Sequence, residues 1–239
     1  MDTSNPLLRK GFAYSGDAES TRSMNLEGVV NKTGILVLLC LGAGAFSWAH
    51  PELRGIFIPI GLLGGFIACL VGTFAPSTAP ISAPFYAILE GLCIGAISQS
   101  VNLTWSGIMV NALLLTFGVL ALMLVLYVTR VVRVTSRFAM GVLMATGAIA
   151  MVYLVDMVMR MFGAQVPYIH ECGTVGIVIS LVIVGIAAFN LLVDFAVIES
   201  NISQGAPKFM EWYCGMALLV TLVWLYLELL RLLSKIRSR

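Results

Sequence analysis

Seven long apolar runs, separated by short polar segments, dominate this sequence. They cover residues 34–49, 55–75, 83–101, 107–129, 138–161, 173–198 and 212–233. A helix needs about 20 apolar residues to cross a hydrocarbon core of roughly 30 Å. The runs lack the period-2 alternation of barrel strands, and they are longer than the roughly 10 residues that such a strand needs. The pattern predicts an all-α integral membrane protein, a bundle of seven transmembrane helices.

The composition leaves no room for a large water-soluble domain. Charged residues make up 11% of the 239 residues and hydrophobic residues 59%, whereas soluble domains carry roughly 25% charged residues. We therefore predict a polar, flexible N-terminal arm (1–33), one transmembrane domain (34–233) and a short basic tail (234–239). The net charge of +2 is too small to indicate a nucleic-acid partner. The lipid bilayer is the predicted partner.

The sequence contains no enzyme motif. It has no phosphate-binding glycine loop, no HExxH and no GxSxG. His50 and His170 show no metal-ligand spacing, and the cysteines form no CxxC pair. An intramembrane aspartyl protease needs two aspartates at matching depth, but Asp156 and Asp194 are predicted near opposite sides of the membrane. We predict no enzyme and no cofactor, and the residues leave a metal undecided.

Basic residues between the runs predict the orientation, because basic loops resist translocation. With seven spans, the N-terminal side holds Arg9, Lys10, Arg22, Lys32, Arg130, Arg133, Arg137 and Lys208. The other side holds Arg54, Arg160, Arg231, Lys235, Arg237 and Arg239. This bias favours a cytoplasmic N-terminus. The alternative is that one of the last three runs is re-entrant, which would place both termini inside.

Glu90 lies near the middle of the third run. Ionisable groups are costly inside a membrane, and each one is a candidate for function. An isolated ionised carboxylate at this depth is strongly disfavoured, so it should be neutral, paired or reached by water. The alternative is a neutral glutamic acid that hydrogen-bonds a neighbouring helix.

Asp194 lies toward the end of the sixth run, four residues after Asn190 and on the same helix face. The predicted orientation brings it near Arg133 and Arg137, which are candidate ion-pair partners. Protonation would break such a pair, and the pair could then act as a latch. The alternative is an interfacial acid that reaches water. Two secondary acids flank the following loop: Glu199 and Glu211.

Two further acids precede a base on the same helix face. Asp156 and Arg160 are spaced i, i+4, and Glu228 and Arg231 are spaced i, i+3. Oppositely charged side chains at these spacings can pair. We predict structural ion pairs at both places.

Six segments resemble the Bax inhibitor-1/YccA-like family, which carries the transmembrane Bax-inhibitor motif. The third run contains an acidic Glu-Gly-x-x-x-Gly helix from Glu90 to Gly95, and the sixth contains the Leu-Val-Asp-Phe stretch around Asp194. The C-terminal helix is similar over 225–233. Segments 5–8, 26–34 and 208–213 resemble a bacterial branch of the family. The similarity covers nearly the whole chain.

The resemblance implies a seven-helix bundle with a central helix and a pH-sensitive calcium leak. It also implies an aspartate pair, on the sixth and seventh helices, that senses protons and holds the pore closed. Asp194 matches the first aspartate. Thr221 stands where the second would be, so the acid pair of the family cannot form in the same way.

The first functional hypothesis is a slow, pH-modulated leak for a cation, calcium above all, with Glu90 and Asp194 along its path. Carboxylate and carbonyl oxygens suit that hard ion. The alternative is a non-transporting regulator that binds other membrane proteins, such as a membrane protease or a stress factor. A wet cavity that reaches both acids would favour the leak, and a dry interior the regulator. The resemblance implies a multi-pass protein of the bacterial cytoplasmic (inner) membrane.

Overall fold

The computed structural model describes residues 23–163 and 173–238 and contains seven long helices. They are α1 (Leu26–Ala49), α2 (Arg54–Phe74), α3 (Ala79–Thr104), α4 (Ile108–Val128), α5 (Ser136–Met161), α6 (Thr174–Ser203) and α7 (Met210–Arg237). Short 3-10 turns at Pro51–Leu53 and Pro76–Thr78 precede α2 and α3. All seven helices are long and apolar enough to cross a membrane. The predicted all-α bundle is confirmed, and each of the last three runs forms one continuous helix.

Two helix ends differ from the prediction. Helix α1 begins at Leu26, because the Asn25 side chain caps it by accepting a 2.6 Å hydrogen bond from Gly28 N. Residues 26–33 therefore belong to the first helix and not to a flexible arm, whereas residues 1–22 lie outside the described part of the chain. Helix α7 continues through Arg237, so most of the predicted tail is helical. Hydropathy alone missed these helical turns because charged and polar side chains interrupt their apolar residues.

Helix α7 is the central helix of the bundle. Every residue from Glu211 to Lys235 is buried or half-buried, which is typical of a helix enclosed on all sides. It packs against α1, α3, α4 and α6. Each of three hydrophobic clusters contains side chains of α7, represented by Leu225, Leu219 and Tyr226.

Helices α1 and α7 begin at the same end of the bundle. The backbone N–H of Met24 donates to Ala206 O at 2.8 Å, just before the start of each helix. We call this the N-terminal end, where α1, α3, α5 and α7 begin, and the other the opposite end. Helix α5 lies at the edge and packs mainly on α6.

Small residues allow α1 and α3 to approach closely. A Cβ atom added to Gly91 would collide with Cys40 O, and one added to Gly95 would collide with the backbone of Gly44. The small-xxx-small spacing on α3 is therefore a contact surface, as such spacings often are in membrane helices. This contact fixes how α3 presents Glu90 to its neighbours.

Substitution of Gly95 with valine is expected to destabilise the bundle by about 1–3 kcal/mol, the usual cost of overpacking. The matched control is Gly118→Val in α4, where an added Cβ meets nothing within 4 Å. Thermal unfolding in detergent micelles, followed by helical circular dichroism, measures the difference. Equal melting temperatures for the two variants would contradict the close packing of α1 on α3.

Candidate functional site: a polar seam beside the central helix

Asp194 of α6 faces Thr221 of the central helix. Thr221 Oγ1 donates a 2.6 Å hydrogen bond to Asp194 Oδ2. The same hydroxyl lies 3.3 Å from Ala217 O, a second acceptor one turn earlier on α7. Thr221 is 8% exposed and Asp194 is half-buried. A single carboxyl group thus meets an uncharged hydroxyl inside the bundle.

The Thr221 hydroxyl can serve both protonation states of Asp194. With an ionised carboxylate, Thr221 donates to Asp194. With a neutral carboxyl group, Asp194 can donate to Thr221 Oγ1, while Thr221 turns its proton to Ala217 O. A hydroxyl group carries one donor and two acceptor positions, which permits the exchange. The pair can therefore take up a proton while α6 and α7 stay in contact.

Glu228 of α7 is held by two side chains. Arg231 Nη1 lies 3.1 Å from Glu228 Oε1 and 3.2 Å from Oε2, and the Tyr153 hydroxyl of α5 donates to Oε1 at 2.7 Å. Arg231 also donates to the Tyr153 oxygen. Glu228 is 1% exposed. This buried cluster joins the edge helix α5 to the central helix.

Lys235 of α7 is buried toward the opposite end. Its Nζ donates to Gly176 O at 3.0 Å and to Ser180 Oγ at 2.8 Å, both on α6. Lys235 is 5% exposed. The backbone carbonyl and the hydroxyl supply polar partners for a cation that lipid would not tolerate alone.

Three separate groups of polar contacts thus follow one another along α7, and together we call them the polar seam: Asp194, Thr221, Tyr153, Glu228, Arg231, Ser180 and Lys235. Thr221, Glu228 and Lys235 follow one another at intervals of seven residues, so they lie on nearly the same face of α7. From Thr221 to Lys235 the seam extends roughly 21 Å along the helix axis. It therefore covers most of the depth of a bilayer core.

Glu90 lies outside the polar seam. Its carboxyl group is seated beside α2, where a Cβ added to Gly65 would come 2.8 Å from Glu90 Oε2. Within the described residues, no hydrogen bond or ion pair to Glu90 is formed. The prediction that one path is lined by Glu90 and Asp194 does not match this arrangement.

The separation of the two acids follows from the faces of α7. The α7 side chains that meet α1 and α3 include Leu219 and Val223, whereas those in the cluster with α6 include Leu225 and Leu229. Thr221, which meets Asp194, is two residues from both Leu219 and Val223, or about 200° around the helix. Asp194 and α3 therefore lie on opposite faces of α7.

The predicted partners of Asp194 are not at the site. Arg133 and Arg137 are exposed, and among the described residues neither forms an ion pair with Asp194. Asp194 lies nine residues before the end of α6, about 14 Å below that helix end. Both arginines lie at the N-terminal end, around the start of α5, so depth separates them from the carboxyl group.

The two secondary acids tie helices together at the N-terminal end. Glu211 is fully buried and accepts hydrogen bonds from Asn25 N at 3.1 Å and Lys208 Nζ at 2.6 Å. Glu199 is exposed and accepts a hydrogen bond from the Tyr127 hydroxyl of α4. These contacts lie outside the polar seam.

Asp156 and Arg160 form a pair near the end of α5. Arg160 Nε lies 2.9 Å from Asp156 Oδ2. Helix α5 begins at the N-terminal end, so this pair lies toward the opposite end and far in depth from Asp194. The two aspartates do not meet.

One described cavity lies beside the central helix and avoids both candidate acids. It has a volume of about 390 Å³, is bordered by α1, α3, α4 and α7, and has an apolar lining. Neither Glu90 nor Asp194 borders it. Within residues 23–163 and 173–238, no three His, Cys, Asp or Glu side chains gather as a metal site would require. His170 lies outside those ranges.

Sequence reasoning missed Tyr153 and Lys235 as parts of the site. Lys235 was assigned to the basic tail, although its distance of seven residues from Glu228 was visible in the sequence. Tyr153 carried no comparable signal, because its role depends on which face of α5 meets α7. The burial of Glu211 was also missed, since it requires α1 to dock beside α7.

The comparisons with known proteins agree with this architecture. The family model described as Bax inhibitor 1 like matches residues 5–238, nearly the whole chain. Comparisons with curated proteins and with solved structures gave no match. A match of this extent, on a chain that folds into seven apolar helices around a central one, means that the protein belongs to the Bax inhibitor 1 like family.

Proposed function

We propose that the protein is a slow, pH-modulated cation leak, that calcium is the ion, and that this structure is its closed conformation. The observation that carries the proposal is the polar seam. Ionisable groups are rare in membrane helices and mark ion pathways or proton relays where they occur. A row of them along the central helix supports a transmembrane path between α7, α6 and α5.

The pairing of the seam supports a closed state. Asp194 is engaged by Thr221, Glu228 by Arg231 and Tyr153, and Lys235 by Ser180. A cation can use the carboxylates only after these contacts loosen and water enters. Helix α5 packs mainly on α6, so a movement of α5 would uncover Glu228 while disturbing few contacts of the core.

The chemistry of the seam suits a hard divalent ion. Calcium takes six to eight oxygen ligands at about 2.3–2.6 Å, in flexible geometry. Thr221, which holds Asp194, precedes Glu228 by seven residues, or roughly 10 Å along α7. Each carboxylate would therefore supply oxygens to an ion that passes its own level, and water and backbone carbonyls would supply the remainder. Protonation of Asp194 removes one of these ligands, which links flux to pH.

Calcium flux into liposomes that contain the purified protein tests this proposal. The flux is measured across a pH series, with protein-free liposomes as the control. We expect a saturable flux above the control that changes with pH. Flux equal to that of protein-free liposomes at every pH would overturn the leak.

The second candidate is a non-transporting regulator that binds other membrane proteins, such as a membrane protease or a stress factor. One observation favours it: the cavity bordered by α1, α3, α4 and α7 is apolar and reaches neither Glu90 nor Asp194. A protein that moves no ions needs no wet path. Absence of flux, together with co-purification of one defined membrane protein, would support this candidate.

We place the protein, within this proposal, in the cytoplasmic (inner) membrane of a bacterium with its N-terminal end toward the cytoplasm. The support is the resemblance of segments 5–8, 26–34 and 208–213 to a bacterial branch, and the bias of basic residues toward that side. Neither candidate function involves an enzymatic step.

Substitution of Glu90 with glutamine is expected to leave the fold and the flux unchanged, within about twofold, an energy of roughly 0.4 kcal/mol. The sequence alone favoured a change in flux, because Glu90 was expected to line the path. The structure separates Glu90 from the polar seam, and glutamine preserves the shape beside Gly65. Flux from the variant liposomes, across the same pH series, is the measurement. A clear loss of flux would move the path to the α2–α3 side of the bundle.

A further inference from the structure

A crevice opens between α1 and α4 because these two helices pack on different neighbours. Helix α1 packs on α3, where Gly44 meets Gly95. Helix α4 packs on α7, where Ala112 joins a cluster with Tyr226. Helices α1 and α4 therefore border a common space of about 390 Å³, which we call the α1–α4 crevice.

The crevice opens sideways toward lipid. Leu41 of α1 and Phe117 of α4 both border it and are 40% and 42% exposed on the bundle surface. Its floor is formed by Leu219 and Val223 of the central helix, which are 3% and 7% exposed. It borders the second half of α1 and the first half of α4, so it lies in the leaflet at the opposite end of the bundle.

The hydroxyl groups that border the crevice already have partners. Ser98 and Tyr226 share a 2.7 Å hydrogen bond, and Thr116 Oγ1 donates to Ala112 O at 2.8 Å. No charged side chain borders the space. A polar ligand would therefore lose its hydrogen bonds to water without replacing them, whereas a hydrocarbon chain has no such bonds to lose.

A cation lies at the end of the crevice nearest the membrane surface. Arg237 Nη1 donates at 2.6 Å to Ser106 O, three residues before Met109 of α4, which borders the crevice. Arg237 is exposed. Guanidinium groups are suited to phosphate oxygens.

From these observations we infer that the α1–α4 crevice binds one acyl chain of a membrane phospholipid, with its phosphate group near Arg237. An apolar cavity of roughly 150 Å³ already admits benzene, so this larger space has room for many methylene groups. The charge distribution matches such a lipid: an uncharged interior for the chain and a cation at the surface for the phosphate. This inference does not depend on the proposed leak.

A phospholipid with a photoactivatable diazirine near the end of one acyl chain tests the inference. The full chain is reconstituted in liposomes that contain this lipid, illuminated and digested with trypsin. We expect label on the peptide 209–231, at the level of Leu219 and Val223. Leu219 and Val223 are only 3% and 7% exposed, so label on these two residues requires a chain inside the bundle.

A pair of adjacent substitutions supplies the control. Leu113 borders the crevice, whereas Leu114 is 67% exposed on the outer face of α4. Leu113→Trp should lower labelling of 209–231 by about tenfold, equivalent to about 1.4 kcal/mol. Leu114→Trp should leave it unchanged. Circular dichroism and gel filtration verify that both variants fold, and Ala45→Trp at the mouth replaces Leu113→Trp if that variant does not.

The inference is overturned if label in the parent protein appears on the lipid-facing helices and is absent from 209–231. It is also overturned if folded Leu113→Trp or Ala45→Trp is labelled on α7 as strongly as the parent. Label that appears only with a diazirine fatty acid, and not with the phospholipid, would contradict the assignment of the phosphate to Arg237.

Discussion

Substitution of Glu228 with leucine is expected to lower the free energy of unfolding by about 3 kcal/mol, the lower part of the range for breaking a buried ion pair. Glu228 is 1% exposed, and its removal leaves Tyr153 and Arg231 without their carboxylate. The loss of stability is expected at the lower end of this range because the Arg231 side chain is 35% exposed and keeps some of its hydration.

A double-mutant cycle provides the control for Glu228. The double variant Glu228→Leu/Arg231→Leu removes both charges and should recover most of the lost stability, because replacing a whole buried pair by apolar side chains is often neutral. Unfolding in detergent micelles, followed by circular dichroism, measures Glu228→Leu, Arg231→Leu and the double variant. The buried-pair interpretation is wrong if the double variant is less stable than Glu228→Leu alone.

Substitution of Asp194 with asparagine is expected to flatten the pH dependence of calcium flux. Asparagine cannot ionise, and its amide can donate to Thr221 Oγ1 as a neutral carboxyl group would. A coupling of about 1–3 kcal/mol between protonation of Asp194 and opening shifts the open fraction roughly five- to 150-fold. Calcium flux through the parent protein should change with pH by a factor in this range. Flux through Asp194→Asn should equal, at every pH, the flux of the parent at low pH.

The slope of the curve of calcium flux against pH provides a second test at this site. One carboxyl group beside a hydroxyl should give a shallow, single-proton response in the parent. Thr221→Asp would place two carboxyl groups side by side, where like charges oppose ionisation of both, and should steepen the curve. A parent Hill slope clearly above one would contradict the single-proton site. An unchanged curve for Asp194→Asn would remove Asp194 from the mechanism.

The orientation of Asp194 shows why the site was only partly predictable. The sequence indicated correctly that an acid lies within the sixth helix, since its neighbours are apolar. It suggested Arg133 and Arg137 as partners because they lie on the same side of the membrane. The observed partner, Thr221, is uncharged and 27 residues away. Only the rotation of α6 against α7 brings these two side chains together.

The sequence by itself determined the seven helices. Lipid offers no hydrogen bonds, so each apolar run must satisfy its own backbone groups, and a helix does this within one segment. This requirement is local and is visible in composition and length. The same local reasoning failed at Leu26, because the helix begins there, eight residues before the first apolar run.

The tertiary structure alone decided which helix is central and which acids share a face. Glu90 and Asp194 are equally conspicuous in the sequence, yet they lie on opposite sides of α7. Lys235 resembles a basic tail residue, yet it is buried against Ser180. These outcomes depend on how helices rotate and approach, through contacts such as that of Gly44 with Gly95. Such contacts join residues far apart in the chain, and no local pattern of hydrophobicity specifies them.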